Sequence, residues 1–177
     1  MATFHTAVTR LPHPRRAWLD PTAVDRPTQS EDDPVVRAAR RLVARGRALF
    51  ARPLPRGIIH GDLWAANMLV ARNDPRRIAA ILDLEEAETN PLVLDLARTM
   101  LSVGTDQSGR RLDGALVAAA AQGYSSVRPL TADETRHLPH AIRYVGGALV
   151  LWVKRTGAAI DPGVFLDRVE SAESRPR

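Results

Sequence analysis

Cysteine is absent from the 177 residues, which excludes disulfide bridges, a thiolate nucleophile and cysteine-based zinc or iron–sulfur sites. Lysine is nearly absent as well, because Lys154 is the only lysine among 25 basic residues. The longest apolar stretch, residues 141–153, contains Arg143 and is shorter than the roughly 20 residues of a membrane-spanning helix. Residues 1–5 carry neither the basic nor the apolar region of a secretory signal. We therefore expect a cytoplasmic protein without a membrane partner.

Positive charge is in modest excess and is not clustered. The formal net charge is +5, the 20 acidic residues are scattered among the arginines, and aromatic residues make up only 5% of the chain. Nucleic-acid binding usually requires basic residues gathered on one face with aromatic residues between them. We therefore expect no nucleic-acid partner. A basic nucleic-acid-binding domain is kept as an alternative that strongly salt-dependent DNA binding would reveal.

The remaining composition is that of an ordinary globular protein. Hydrophobic residues at 45% and charged residues at 25% are sufficient for a packed core and a solvated surface. The length fits one domain and leaves little room for a second. We expect residues 1–177 to form a single domain.

Local patterns predict helices on both sides of a short strand-rich segment. Asp33 followed by Pro34 is an N-cap with proline at the first helical position, so a helix is predicted from there to about Arg52. Thr131 and Glu134 form a capping box before a long helix. The later helices are predicted at 92–101, 113–124, 131–155 with a kink or restart at Pro139, and 164–169, followed by a frayed polar tail at 170–177.

The strands are predicted from short apolar runs between turn formers. Runs at 57–60 and 68–71 flank a polar loop, and a third run at 78–84 follows the turn at 73–75. The second and third runs are close enough in sequence to pair as a ribbon. The predicted fold class is therefore α+β, mainly α-helical, with a small β-ribbon beside the polar loop.

The polar loop carries the most informative residues of the chain. Asp62 and Asn67 stand five residues apart between two strands, and Asp83 ends the next predicted strand. Phosphoryl transfer requires such a set, because one carboxylate accepts the proton of the substrate hydroxyl while an amide oxygen and a second carboxylate hold magnesium ions. The same offset from Asp to Asn occurs in the kinase catalytic loop. The spacing therefore predicts a phosphoryl-transfer site.

These residues stand in three blocks that resemble the aminoglycoside phosphotransferase and choline or homoserine kinase group of protein-kinase-like small-molecule kinases. The blocks are His60-Gly-Asp62 with Asn67, then Leu-Asp83-Leu-Glu, then Asp95-Leu-Ala. The resemblance covers about residues 57–101 and implies a protein-kinase-like carboxy-terminal lobe whose β-ribbon carries the catalytic loop. It implies that Asp62 is the catalytic base, that Asn67 and Asp83 bind Mg²⁺ with ATP, and that His60 and Asp95 support the loop.

Several of these side chains also have a purely structural interpretation. An aspartate such as Asp62 caps loops in many proteins, and Asp95 stands where an acidic residue favours the start of a helix. Trp64 is expected either to border a substrate cleft or to shield the loop. Glu85 and Glu86 would either extend the metal site or be solvated, and we expect the latter. His137 with His140 is expected to be a surface pair rather than a metal site.

The part of the chain before His60 lacks what the family resemblance would place there. The family has a β-rich nucleotide lobe with a phosphate-covering loop and a lysine, whereas residues 1–59 contain only Gly46 and Gly57 and no lysine. The chain therefore resembles the carboxy-terminal lobe alone, with residues 4–11 as the first helix after the interlobe hinge. The resemblance leaves open a truncated phosphotransferase, one half of a split kinase and a non-catalytic interaction module. An uncovered apolar surface on the helices near the hinge would favour self-association or a partner that supplies the nucleotide lobe.

The acceptor substrate is only weakly indicated. The sequence from Gly104 onward contains 8 acidic and 10 basic residues, whereas a polycationic aminoglycoside would favour an acidic surface. This balance favours a neutral or zwitterionic small molecule as the hydroxyl substrate.

Overall fold

A computed structural model describes residues 1–7 and 18–174, and this part of the chain is mainly helical with two small antiparallel sheets. The predicted α+β class is confirmed. The helices are α1 (Ala2–Ala7), α2 (Pro21–Val24), α3 (Pro34–Gly46), α4 (Val93–Val103), α5 (Gly114–Ser125), α6 (Ala132–Thr156) and α7 (Gly163–Glu173). The strands are β1 (Arg56–Ile59), β2 (Met68–Ala71), β3 (Asp74–Ile81) and β4 (Glu88–Pro91). Among the described helices, none is both long and apolar enough to cross a membrane.

The predicted caps begin two of the principal helices. Asp33 accepts a hydrogen bond from the Val35 amide at 2.7 Å, with Pro34 as the first residue of α3. At the start of α6, the Thr131 hydroxyl accepts from the Glu134 amide at 3.1 Å and the Glu134 carboxylate accepts from the Thr131 amide at 2.9 Å. These bonds use amides that would otherwise lack partners in the first helical turn.

The core is organised around α6, which packs against α3, α4 and α7. Glycines allow α3 and α6 to approach closely: a Cβ atom at Gly46 would lie 2.6 Å from the His140 carbonyl oxygen, and one at Gly147 would lie 2.7 Å from that of Ala39. Tyr144 of α6 is fully buried, and its hydroxyl donates to the Leu19 carbonyl at 2.9 Å. The helical core is therefore closely packed where α3 meets α6.

The ribbon of β2 and β3 is confirmed, with Met68 opposite Ile81, but its second strand is shifted along the sequence. The prediction placed this strand at 78–84, whereas β3 begins at Asp74 and leaves the sheet after Ile81. The polar strand β4 was not predicted, because the sequence Glu-Thr-Asn-Pro has no apolar alternation. It pairs antiparallel with β1, which places Glu88 opposite Ile59.

Three details of the helix predictions need correction. The first long helix gives way at Arg47 to a 3₁₀ turn, Arg47–Ala51, and α6 continues through Pro139 without a restart. The tail expected from Glu170 is helical through Glu173, and within it the Ser171 hydroxyl accepts a hydrogen bond from the Leu112 amide at 2.9 Å. The helix expected at 4–11 coincides with α1 over residues 4–7. Residues 8–11 of that prediction and residues 175–177 of the predicted tail lie outside the described part.

Candidate active site

The loop that carries the predicted site, residues 60–67, is called here the His-Gly-Asp loop and connects β1 to β2. Its turn at Gly61 has a φ of +80°, and a Cβ atom at that position would lie 2.4 Å from the Glu86 carbonyl oxygen. Only glycine satisfies both conditions without displacement of the loop. The Trp18 indole donates to the Gly61 carbonyl at 3.2 Å and closes the other side of the turn.

A carboxylate from α4 holds the start of the loop. Asp95 is completely buried, and its two oxygens accept from the backbone amides of His60 at 2.7 Å and Gly61 at 2.9 Å. The same carboxylate contacts the ring of His5 from α1 at 2.8 Å. Asp95 does lie in the first turn of α4, as its helix-start interpretation requires, but its oxygens bind the loop.

His60 connects the loop to the chain segment that follows β3. Its ring is fully buried, with Nε2 2.8 Å from the Leu82 carbonyl oxygen and Nδ1 3.3 Å from the Asp62 amide nitrogen. A carbonyl oxygen only accepts and an amide only donates, so a neutral ring with its proton on Nε2 satisfies both contacts. His60 therefore fixes the backbone at Asp62 and at the residue before Asp83.

Asp62 and Asn67 lie together, as their spacing suggested. The Asn67 side-chain amide nitrogen donates to the Asp62 carbonyl at 2.9 Å and lies 3.3 Å from the Asp62 carboxylate oxygen Oδ2. Asn67 is buried and Asp62 is half-buried. The amide oxygen of Asn67 takes no part in these bonds, so it is oriented away from the Asp62 carboxylate.

Asp83 lies in the loop after β3, and a backbone hydrogen bond connects its neighbour Leu82 to Asn67. The Leu82 amide donates to the Asn67 carbonyl at 2.9 Å, which ties the two loops together one residue before Asp83. Asp83 has a φ of 62°, a left-handed conformation that is uncommon outside glycine. Its exposed carboxylate accepts a long hydrogen bond, 3.4 Å, from the Glu85 amide.

The side-chain oxygens of Asn67 and Asp83 suit a magnesium ion that is shared with water and substrate phosphates. They do not suit a metal ion that is held by protein ligands alone. Asn67 and Asp83 offer an amide oxygen and a carboxylate, the hard oxygen ligands that Mg²⁺ prefers. Within residues 1–7 and 18–174, no group of three or more His, Cys, Asp or Glu side chains could hold a metal by itself. Magnesium usually keeps several waters and completes its coordination with substrate phosphates, so two protein donors suffice.

The histidine pair on α6 differs from the prediction. His137 is buried rather than on the surface, and its Nδ1 lies 2.8 Å from the Asp133 carbonyl oxygen. Its ring centroid is 5.4 Å from that of His140. His137 is therefore buried, whereas His140 is half-buried.

Arg98 is the site residue that sequence reasoning missed. Its guanidinium contacts the Asp62 oxygen Oδ1 at 2.7 Å and, on the same helix, the Ser102 hydroxyl. Burial lowers the pKa of the guanidinium, and the neighbouring Asp62 charge opposes that shift. The available signal was a second charged residue three positions after Asp95 on an otherwise apolar stretch of helix, which places both on one face.

A cavity of about 170 Å³ opens beside Asp62. All three tryptophans of the chain line it: Trp18, Trp64 and Trp152. Trp64 therefore borders the cleft, which is one of the two positions expected for it. The polar lining comes from four charged side chains: Asp62, Glu85, Glu86 and Arg98.

The single lysine is not among the residues that line this cavity. Lys154 donates from Nζ to the Asp33 carboxylate at 2.6 Å, and this hydrogen bond is the main cause of the lowered pKa of Asp33. Lys154 therefore joins the end of α6 to the start of α3 and is engaged in a structural ion pair.

Comparison with known proteins finds a family model, described as the phosphotransferase enzyme family, that matches residues 1–130. Among curated proteins, a homoserine kinase of Paraburkholderia xenovorans is 33% identical over 107 residues, covering 58% of this chain and 32% of its own length. A homoserine kinase of Neisseria meningitidis is 30% identical over 138 residues, covering 78% of this chain and 43% of its own length. The chain thus spans about a third to two fifths of the relatives it matches.

Solved structures share the fold at low sequence identity. A choline/ethanolamine kinase family protein from Mesorhizobium loti is 18% identical with a TM-score of 0.60, over 99% of this chain and 60% of that one. An aminoglycoside phosphotransferase from Alicyclobacillus acidocaldarius is 22% identical with a TM-score of 0.51, over 88% of this chain and 50% of that one. These similarities show a kinase-like α+β fold.

Proposed function

Because the chain belongs to the phosphotransferase enzyme family, we propose that it provides the acceptor-binding and metal-binding part of an ATP-dependent kinase that phosphorylates a hydroxyl group of a small molecule. The observation that carries this proposal is the hydrogen-bonded pair of Asp62 and Asn67 at the edge of a tryptophan-lined cavity. Family membership alone would not distinguish an intact site from a degenerate one. The hydrogen bonds that hold the His-Gly-Asp loop favour the intact site.

Each polar side chain of the loop region receives a role in this proposal. Asp62 is the base that accepts the proton of the acceptor hydroxyl, since its carboxylate lines the cavity. Asn67 and Asp83 hold Mg²⁺, and His60 with Asp95 fixes the loop. When bound with ATP, magnesium neutralises charge on the transferring phosphate. The chain's own residues orient the hydroxyl and hold its proton.

We propose a neutral or zwitterionic acceptor, with homoserine as the first compound to test. The homoserine kinases among its relatives support this choice. The cavity joins aromatic rings to carboxylates at Glu85 and Glu86, a combination that accommodates an ammonium group. We place the reaction in the cytoplasm, with which a chain without cysteine is compatible.

The test is transfer of labelled phosphate from ATP to homoserine, choline, ethanolamine and aminoglycosides. In any preparation that turns over, Asp62→Asn should reduce kcat by roughly 10²- to 10⁴-fold, the usual contribution of general base catalysis. The thermal midpoint should stay close to that of the wild type because the substitution is nearly isosteric. Asp74→Asn, at an exposed position on the ribbon, is the matched control and should keep full activity. Full turnover in Asp62→Asn would place the base elsewhere.

A second candidate function is a non-catalytic lobe, or one half of a split kinase. The ion pair of Lys154 with Asp33 favours it, because the only lysine is thereby engaged away from the cavity. The assay is therefore run on the chain alone and with a separately supplied nucleotide-binding lobe. Turnover only in the mixture would identify a split kinase. The absence of transfer in both would favour the interaction module.

A further inference from the structure

Two side chains on one face of α4 reach the His-Gly-Asp loop. Asp95 binds the backbone amides of His60 and Gly61, and Arg98, three residues later, binds the carboxylate of Asp62. Residues separated by three positions on a helix lie side by side, so α4 presents both groups to consecutive loop residues. The helix therefore fixes both the path of the loop and the side chain at its tip.

The Arg98 guanidinium is itself held from two sides. Its Nη2 donates to the Asp62 oxygen Oδ1 at 2.7 Å, and its Nη1 donates to the hydroxyl of Ser102, one turn further along α4. The Ser102 hydroxyl in turn donates to the Arg98 carbonyl at 2.9 Å. A planar guanidinium with both terminal nitrogens engaged has little freedom to rotate. It therefore sets the position of the carboxylate that it contacts.

The two carboxylate oxygens of Asp62 have different partners. Oδ1 of Asp62 faces Arg98, while Oδ2 lies 3.3 Å from the side-chain nitrogen of Asn67. The side chain of Asp62 is 32% exposed, whereas that of Arg98 is 8% exposed. The arginine is thus anchored inside the protein and the carboxylate is presented to the cavity. A base needs this arrangement, because one oxygen must be held while another meets the hydroxyl.

Stability is a weaker explanation for the pair. Desolvation of a buried charge offsets much of the attraction in an ion pair, and Asp62 is exposed enough to be solvated without a partner. Among the described residues, the buried Nε of Arg98 also has no hydrogen-bond partner. An arrangement selected for stability alone would not leave that N–H unpaired in the interior.

We propose that Arg98 is the positioning residue for Asp62, which it holds through Oδ1 so that Oδ2 faces the acceptor hydroxyl. This inference rests on the proposed function. Arg98 also lines the cavity, but in this proposal it acts through the carboxylate of Asp62 and not on the acceptor directly. Lysine at this position supplies the charge but not the planar fork, so Arg98→Lys retains part of the function, and Arg98→Met removes it.

The first experiment needs no turnover. In the isotope-labelled full chain, the side-chain amide signals of Asn67 report on the nearby Oδ2 of Asp62. Arg98→Met should shift these signals, and Arg98→Lys should leave them close to the wild type. Arg168→Met is the matched control, since it removes a half-buried arginine bonded to the carbonyls of Gly109 and Leu101. Unchanged Asn67 signals in a folded Arg98→Met chain would overturn the inference.

The second experiment uses whichever preparation transfers phosphate. Arg98→Met should lower kcat at least tenfold with the acceptor KM within twofold of the wild type, and it should have less than a twofold further effect in an Asp62→Asn background. A raised KM with unchanged kcat, or an equal loss in both backgrounds, would overturn the inference. If no preparation transfers phosphate, the proposed function fails, and the Asn67 signals alone decide whether Arg98 positions Asp62.

Discussion

At the scale of single residues, Glu88 on β4 has the most unusual environment. It is 3% exposed, and one of its oxygens accepts from the Leu19 amide at 3.0 Å. Burial raises the pKa of this carboxyl to about 7, although hydrogen bonds from Leu19 and Asn90 act in the opposite direction. The folded protein therefore binds a proton here at pH values where the unfolded chain has released it.

This shift predicts a fall in stability as the pH rises from about 4.5 to about 7. In that range the folded state holds a proton that the unfolded state lacks. The stability that the protonated Glu88 contributes is therefore full below pH 4.5 and is lost above pH 7. The loss amounts to about 3 kcal/mol, at roughly 1.4 kcal/mol per pKa unit. Urea denaturation at pH 5 and pH 7.5 should show it in the wild type and much less of it in Glu88→Gln. The exposed Glu170→Gln should match the wild type, and an equal fall in Glu88→Gln would assign the dependence to another group.

A second residue-scale prediction concerns Asp83. If Asp83 and Asn67 hold magnesium, Mg²⁺ with ATP binds the folded state and raises the thermal midpoint. At a ligand concentration of ten times Kd, the free energy of unfolding increases by about 1.4 kcal/mol. Asp83→Ala should abolish this shift, because it removes the only charged donor of the pair. Asp32→Ala, an exposed aspartate before α3, should retain it. An identical shift in Asp83→Ala and the wild type would show that the nucleotide complex binds without this carboxylate.

At the scale of elements, the His-Gly-Asp loop depends on close packing at Gly61. The φ of +80° alone costs a substituted alanine about 1–2 kcal/mol, and the 2.4 Å approach of a Cβ atom to the Glu86 carbonyl adds a steric overlap with backbone. Gly109 is a matched control, since its φ is +69° but the nearest atom, on Arg168, would be 3.8 Å away.

Gly61→Ala should therefore lower the free energy of unfolding by more than Gly109→Ala does. We expect about 1–2 kcal/mol for Gly109→Ala and a larger loss for Gly61→Ala, both measured by denaturant titration. Phosphate transfer, where present, should disappear only in Gly61→Ala. Equal losses in the two variants would mean that the loop moves away from Glu86 without cost.

At the scale of the whole molecule, the described residues expose several large apolar side chains on the ribbon and on the loop after it. Five of them belong to this surface, which is called here the ribbon surface: Leu69, Val70, Ile78, Leu82 and Leu84. Val70 and Ile78 lie opposite each other across the two strands. Exposed apolar side chains that are paired across two strands favour association with another protein surface.

The purified chain should therefore self-associate with rising concentration, and the double variant Val70→Glu with Ile78→Glu should be monomeric. Charges placed on paired strand positions oppose burial of the ribbon surface. Sedimentation velocity between micromolar and hundred-micromolar concentrations measures the change. Leu116→Glu, at an exposed leucine of α5, is the matched control and should behave as the wild type. A wild-type chain that is monomeric throughout this range would contradict the prediction.

The sequence by itself determined the features that depend on neighbouring residues. The caps at Asp33 and Thr131, the ribbon of β2 and β3 and the proximity of Asp62 to Asn67 all follow from residues within a few positions of one another. Such local preferences act before the chain is compact and are visible as spacing. The family likewise followed from three short blocks at fixed intervals, and the family match confirms it.

The tertiary structure decided what depends on distant residues. The contact of Arg98 with Asp62 joins positions 36 residues apart, and the polar strand β4 exists because β1 offers it a partner about 30 residues earlier in the chain. The cavity gathers Trp18, Trp64 and Trp152 from separate elements. No local sequence pattern specifies these long-range contacts. Each of them stabilises the protein only after packing of the helical core has brought the distant segments together.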